Sequence, residues 1–372
     1  MTATTQRRSP LHEQHVALGA KTAPFGGWEM PLEYAGGGVL KEHAAVRSAV
    51  GVFDVSHLGT LRVTGPGAAG HVDACLTNSL SRIGPGRAQY TLACDDETGG
   101  VVDDLIVYLF ADDDLLLIPN AANSAEVARR LAAGAPAGVD VVDQHTEQAI
   151  LAVQGPASDA VLERLGLPAG HPYMSFLTGR VDAASVVVCR TGYTGERGYE
   201  LILDSAAAPG VWEGLLEAGR DQDIRPCGLA ARDTLRTEMG YPLHGQDLGP
   251  DITPLQGRVG WAVGWDKPTF WGRDVLVAER DAKPRRLLRG LRAVGRGIPR
   301  PAMPVTAAGE DAGGGALGFV TSGTFSPTLR TGIGLALLDR AVADGDEVVV
   351  QMRGRSERFE VTKPPFVATS TA

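Results

Sequence analysis

The sequence is short of cysteine, of lysine and of long apolar runs. Its four cysteines, Cys75, Cys94, Cys189 and Cys227, lie far apart without a C-x-x-C spacing. That fits buried thiols in a reducing compartment better than a disulfide framework or a cysteine-built zinc site. The eight histidines are dispersed too, with His12 and His15 the nearest pair, so no carboxylate–histidine cluster has ligand spacing and no metal is expected. No stretch approaches the roughly 20 apolar residues of a membrane span. The amino-terminal MTATTQRRSP has two arginines but no apolar run behind it, unlike a secretory signal. A cytoplasmic protein with no membrane contact is expected. Basic excess is missing as well: 35 Lys and Arg against 44 Asp and Glu leave a net charge of −9, which argues against a nucleic-acid partner. Lysine stands at only five positions (Lys21, Lys41, Lys267, Lys283 and Lys363), which reads as codon bias.

What is present points to β-structure. A chain of 372 residues is too long for one core and implies two or three domains. Its 48 glycines and 23 prolines, without low-complexity blocks, suggest many tight turns. A short helical pattern in LHEQHVAL leads to a Gly/Pro-broken strand region, PFGGWEMPLEY. Gly38–Val50 is helical by periodicity, offering Leu40, Ala44, Val46 and Val50 to one face. VFDVSHL and TLRVT read as short strands. From Ala88 an antiparallel pattern runs through QYTLACD, GGVVDDLIVYLF and LLLIP, then a helix over Asn123–Ala133 and a strand near Val139–Val142: a compact α+β unit. A second block begins at Ala149 with ILAVQGP, a helix over Ser158–Leu165, the hairpin SVVVCRTGYTGERGYELIL, and helices at Val211–Ala218 and Gly228–Met239. Lys283–Arg300, rich in Arg and Pro, reads as a linker. LGFVTSG, GIGLALL, DEVVVQM and RFEVT then have the spacing of a small barrel or sandwich.

One motif misleads. Gly65–Gly70 matches G-x-G-x-x-G between a strand and a helix, as a dinucleotide site would. Pro66 removes a backbone donor, however, and no acidic residue ends a second strand about 20 residues on. A plain strand–turn–helix junction is expected.

The chemistry concentrates elsewhere. In Gly99–Tyr108, the adjacent Asp103 and Asp104 point to opposite faces of a strand, so one can be open while the other is held inside. A buried carboxylate is costly without a partner or a task; the competing interpretation is a turn in which both cap backbone N–H groups. In Tyr199–Leu203, alternation sets Glu200 opposite the Tyr199, Leu201 and Leu203 face, as an edge residue or a recognition group. Glu196, in the turn, is expected in solvent. On the helix CGLAARDTLRTEMG, Arg232 and Arg236 share a face and repel unless an anion or carbonyls lie between them. They form either a surface network with Asp233 and Glu238 or part of a pocket with Tyr90, Tyr193 and Trp261.

GGWEMPLEY, FDVSHLG, GGVVDDLIVY, NAAN, TGYTGERGYEL, GLAARDTLR and VTSG-x-x-SP-x-L together resemble the T-protein family, the aminomethyltransferases of the glycine cleavage system. The resemblance runs from about Leu11 to Val367 with the motifs in family order. It implies an α+β three-domain ring: residues 1–51 plus 148–280 and the inserted 52–147 as mixed antiparallel-sheet and helix domains, and 281–372 as an all-β barrel. It implies tetrahydrofolate as co-substrate in the central hole, a lipoylated H carrier protein as transient partner, and a monomer. By motif position, Asp104 is the catalytic acid–base group, Glu200 and Arg232 bind the pterin, and Tyr90, Asn120, Tyr193 and Trp261 line the folate site. Leu58 stands where relatives often have Met, a swap of one flexible apolar side chain for another. The tail PFVATSTA lacks a tyrosine that some relatives carry. Two other readings share this scaffold: a folate-dependent demethylase, and a non-enzymatic folate-binding protein of iron–sulfur maintenance. The second carries a cysteine in a K-G-C-Y-x-G-Q-E stretch, where this chain reads R-T-G-Y-T-G-E.

Overall fold

Alternating apolar strands build two facing sheets and a closed barrel in the computed structural model, which describes residues 6–308, 316–352 and 354–369. Among them, a five-stranded sheet takes the order Arg87–Cys94, Val101–Ala111, Asp114–Ile118, Leu61–Thr64, Asp140–Asp143. A six-stranded sheet runs Phe176–Val181, Ala184–Cys189, Gly198–Asp204, Gln148–Gln154, Gly51–Asp54, Arg225–Pro226. A smaller sheet pairs Trp28–Tyr34 with Arg7–Arg8 and Ala20–Phe25. The barrel closes from six strands between Arg286 and Thr362.

Each large sheet buries one face under helices. Leu105, Val107 and Leu109 pack with Val72, Val127 and Leu131 of the helices Ala68–Cys75 and Ser124–Ala133. Leu201 and Leu203 pack with Val161 and Trp212 of Ser158–Arg164 and Ala208–Ala218. The remaining faces meet each other: Tyr108 and Leu116 share a core with Ile150, Ala152 and Ile202. Period-two alternation therefore places alternate residues of both sheets on one seam, and the candidate site opens from that seam.

The Gly65–Gly70 motif is a strand–turn–helix junction. The Gly65 and Ala69 amides donate to Asp113 and Asp112 carbonyls at 2.9 Å each. Gly65 has a left-handed φ of 106°, and a Cβ there would meet the Gly138 carbonyl oxygen at 1.9 Å.

Three local expectations are corrected. Helix Gly38–Ser48 turns Glu42, His43, Ala45 and Val46 inward and leaves Leu40 59% exposed. Its polar residues have inside partners, since Glu42 accepts from the Tyr34 and Gly228 amides at 2.6 and 2.9 Å. The Arg-rich segment after Lys283 is no linker: Arg286–Ala293 is a barrel strand paired with Thr331–Asp339 and Arg355–Thr362, burying Leu288, Leu291 and Ala293 and leaving Arg292 in solvent. Glu196 is mostly buried and pairs with Arg47 at 2.9 Å. Of the tail, residues 370–372 lie outside the described residues.

Candidate active site

Two glycines start the central strand. Gly99 has a φ of 68°, and a Cβ on Gly100 would strike the Pro250 carbonyl oxygen at 1.8 Å. The Val101 amide lies within hydrogen-bonding distance of the Gly249 and Ile252 carbonyls, at 3.0 and 3.1 Å. The segment 244–252 is thereby laid across the strand's beginning, where the two aspartates follow.

Asp103 is fully buried and Asp104 faces a cavity of about 740 Å³, a size that suits a small organic substrate. The cavity is lined by all eight residues singled out in the sequence: Leu58, Tyr90, Asp104, Asn120, Tyr193, Glu200, Arg232 and Trp261. Asp104 accepts from the Tyr90 hydroxyl at 3.0 Å through Oδ2 and from Asn120 Nδ2 at 3.0 Å through Oδ1. Beneath it, Asp103 accepts from the Asn120 amide at 3.0 Å, Asn120 Nδ2 at 2.8 Å and Asn123 Nδ2 at 2.7 Å. Burial pushes both carboxyls above the ordinary aspartate range, and for Asp103 the neighbouring Asp104 adds to the effect.

Glu200 enters from the other sheet. Thr191 donates to its Oε2 at 2.5 Å, and Thr191 is bonded in turn to the Tyr108 hydroxyl at 3.0 Å. Among the described residues Oε1 has no hydrogen-bond partner. Burial raises the Glu200 carboxyl, while Thr191 and Arg232 pull it down. Arg232 lies over the Tyr193 ring at 4.4 Å from its centroid, and no residue among those described hydrogen-bonds its guanidinium. Tyr193 stacks on Tyr241 and Tyr90 on Trp261, with centroids 5.8 and 5.3 Å apart. Trp261 is 64% exposed, so this wall reaches the cavity mouth.

The paired arginines part company. Arg236 turns away from the cavity to bond Asp233, Asp247 and Ser322, and is itself buried. Tyr108, Thr191, Asn123 and His244 were not anticipated. Tyr108 was legible, being on the Asp104 face of the same strand. His244 was not, because its contacts span more than a hundred residues of chain: its Nδ1 faces Asn123 Nδ2 at 3.0 Å and its Nε2 the Val101 carbonyl at 3.0 Å. Among the described residues no group of three or more His, Cys, Asp or Glu could hold a metal ion, and no helix is long and apolar enough to cross a membrane.

Two facing α/β-covered sheets and a barrel, with carboxylates, a guanidinium and stacked aromatics around one chamber, define an enzyme for a flat, polar small molecule. The family model described as the GCVT N-terminal domain matches residues 11–267, and that of the glycine cleavage T-protein C-terminal barrel domain matches 286–368. The chain belongs to this T-protein family, and its activity is that of an aminomethyltransferase of the glycine cleavage system. It is 66% identical over 364 residues to the aminomethyltransferase of Parafrankia sp. (strain EAN1pec), covering 98% of each chain. It is 54% identical to that of Mycobacterium tuberculosis (strain CDC 1551 / Oshkosh), covering 97% of each. The crystal structure of glycine cleavage system aminomethyltransferase T from Bartonella henselae superposes with a TM-score of 0.90 at 33% identity, covering 98% of both chains. These relatives bear out the aminomethyltransferase reading over the demethylase and iron–sulfur alternatives.

Proposed function

We propose that the chamber binds tetrahydrofolate as co-substrate and receives the aminomethyl group from the dihydrolipoyl arm of an H carrier protein. The products are 5,10-methylene-tetrahydrofolate, ammonia and the free dihydrolipoyl thiol. The carbon leaves one sulfur and one nitrogen and gains two folate nitrogens; the two N–H protons released balance the thiol and the ammonia. The observation that carries this reading is that Asp104, Glu200 and Arg232, from two sheets and a helix, line one cavity.

The residues fit the co-substrate. Glu200, with Oε1 uncommitted, suits the adjacent N–H donors of a reduced pterin in a charge-assisted pair. Arg232 offers donors to a ring carbonyl or to the anionic tail, and Arg258 and Lys363 add positive charge to the lining. Tyr90, Trp261 and Tyr193 offer flat faces to aromatic rings, and Leu58 an apolar contact. Tetrahydrofolate supplies, when bound, the amines that take up the one-carbon unit. Asp104 takes the proton from the weakly basic aryl nitrogen as the ring closes and opposes positive charge on the carbon being transferred. Asn120 and Tyr90 hold Asp104 in place. The protein is further proposed to act as a monomer in the cytoplasm, with domains at 1–51 plus 148–280, 52–147 and 281–372.

Asp104→Asn tests the assignment. It is expected to fold, to bind tetrahydrofolate within a few-fold of the parent, and to lose about 10²- to 10⁴-fold in turnover with lipoylated carrier. Turnover near that of the parent would remove Asp104 from the role.

A further inference from the structure

The two aspartates differ in what can be done with a proton, and the difference is built by groups outside the cavity. Among the described residues, all three hydrogen bonds to the Asp103 carboxyl come from N–H groups: the Asn120 backbone amide on Oδ2, and Asn120 Nδ2 and Asn123 Nδ2 on Oδ1. A backbone N–H cannot reverse its role. A proton on fully buried Asp103 would be a donor without an acceptor, which is costly. Asp104 is different, because its Oδ2 faces the Tyr90 hydroxyl, which can donate to a carboxylate or accept from a carboxylic acid.

The side-chain amide of Asn123 could in principle turn its oxygen toward Asp103 and welcome a proton there. His244 opposes this. The Val101 carbonyl can only accept, so an imidazole with one ring hydrogen carries it on Nε2, at 3.0 Å from that carbonyl. Nδ1 is then an acceptor, and at 3.0 Å it requires the NH₂ end of Asn123. With that orientation set, the second hydrogen of the amide falls on Asp103.

We propose that Asp103 is the fixed anion of this site and Asp104 its proton carrier, with the chain Val101–His244–Asn123 deciding which is which. The assignment rests on the proposed role of Asp104 in catalysis. Asp103 acts as a positioning residue: its buried charge beside Asp104 makes Asp104 the stronger base for the proton leaving the folate nitrogen. The charged and titratable groups facing the pair are Tyr90 from the adjacent strand, Tyr193 from the hairpin turn and His244 from the crossing segment. Burial and the neighbouring Asp104 push Asp103 up to about 8 against the pull of its three N–H donors, and the pair titrates as a unit, so the claim concerns which carboxyl takes the first proton, decided by the donors around each.

Carboxyl-carbon NMR of the full chain, labelled at aspartate and titrated from pH 9 to 5, reads this directly. Asp104→Asn and Asp103→Asn assign the two signals. The Asp104 signal is expected to take the first proton while the Asp103 signal keeps its ionised position; the reverse order overturns the proposal. Kinetics give an independent arm. In Asp103→Asn the acid limb of kcat should move about one pH unit lower, with the KM for tetrahydrofolate within about twofold. His244→Phe, which frees the Asn123 amide, should move the limb in the same direction. A fall in kcat with the limb in place would show a merely structural role and overturn the proposal. If Asp103→Asn does not fold, the NMR order, with the Asp104 signal assigned from Asp104→Asn, and His244→Phe still decide. Should Asp104→Asn retain turnover, the catalytic reading fails while the NMR order still stands or falls alone.

Discussion

At the scale of single residues, the site depends on carboxylates whose burial cost is offset by specific partners. Glu200 is the simplest to isolate, because Thr191 holds one oxygen and leaves the other to the cavity. Glu200→Gln keeps the shape and an acceptor but loses the charge and presents an NH₂ where a pterin would present donors of its own. Removing a charge-assisted pair of this kind costs about 1.5–3 kcal/mol, so the KM for tetrahydrofolate should rise about 10- to 150-fold. Turnover at saturating folate should fall far less. Steady-state kinetics at varied folate separate the two, and a pure loss of kcat would take Glu200 out of folate binding. Asp104 and Glu200 were readable in the sequence because strand alternation states which neighbours share a face. Tyr108 was readable by the same rule, four residues beyond Asp104. Asn123 could be placed only at a helix start. His244 stood in a Gly/Pro-broken stretch with no period, and it is brought to the aspartates by the close packing of Gly100 against Pro250 and the Val101 hydrogen bonds to the same segment.

At the scale of elements, helix Leu229–Met239 shows where pattern reading ends. The i,i+4 spacing of Arg232 and Arg236 is a correct statement about the helix, but a helix side wide enough for two arginines can look onto two different neighbours. One faces the cavity, and the other crosses to the barrel at Ser322. The Arg-rich barrel strand was missed for a related reason: arginines and leucines occur on both of its faces, with Arg292 in solvent and Arg289 largely buried, so the strand has no clean alternation and mimics a linker's composition. At the helix end, Glu238 accepts from His43 at 2.9 Å and from Arg47 at 2.7 Å, and is also bonded by Ser326 of the barrel. These partners outweigh burial and hold its carboxyl down to about 2. A folded-state value below that of the unfolded chain adds stability above the unfolded pKa, and the contribution is lost as pH falls toward 2. The shift corresponds to at most on the order of 3 kcal/mol. Glu238→Gln should therefore be less stable than the parent in urea at pH 7, with the gap narrowing steadily from about pH 5 to pH 3. A gap independent of pH would mean that the carboxylate's charge is not what stabilises the junction.

At the scale of the whole molecule, the cavity is walled by three parts of the fold, the two large sheets and the barrel, so its shape depends on how firmly the barrel is held. The barrel has its own core, built on Leu291, Val320, Leu338 and Phe359, and contributes Leu288, Arg289 and Leu335 to the cavity lining. Its attachment passes through a buried polar cluster. Arg236 bonds Asp247 at 2.7 Å and Ser322 at 2.9 Å, and Ser322 donates to Asp247 at 2.7 Å. The arginine, Asp247 and Ser322 are all essentially inaccessible to water. Removing one member of such a pair strands a buried charge, at about 3–5 kcal/mol. Arg236→Met should accordingly destabilise far more than loss of a surface ion pair such as Arg220 with Glu217, whose side chains are 73% and 65% exposed. The loss should also be local. Hydrogen exchange should rise first in the barrel strand Gly318–Ser326 and in the segment around Asp247, before the two facing sheets open. Replacing Arg236 and Asp247 together by apolar residues of similar volume should recover part of the stability, because no charge is then left unpaired. The same double variant should bind folate more weakly than the parent if barrel position shapes the cavity. Folate affinity equal to the parent's, with exchange raised evenly over all three units, would show that the cluster supports the fold in general and not the seating of the barrel.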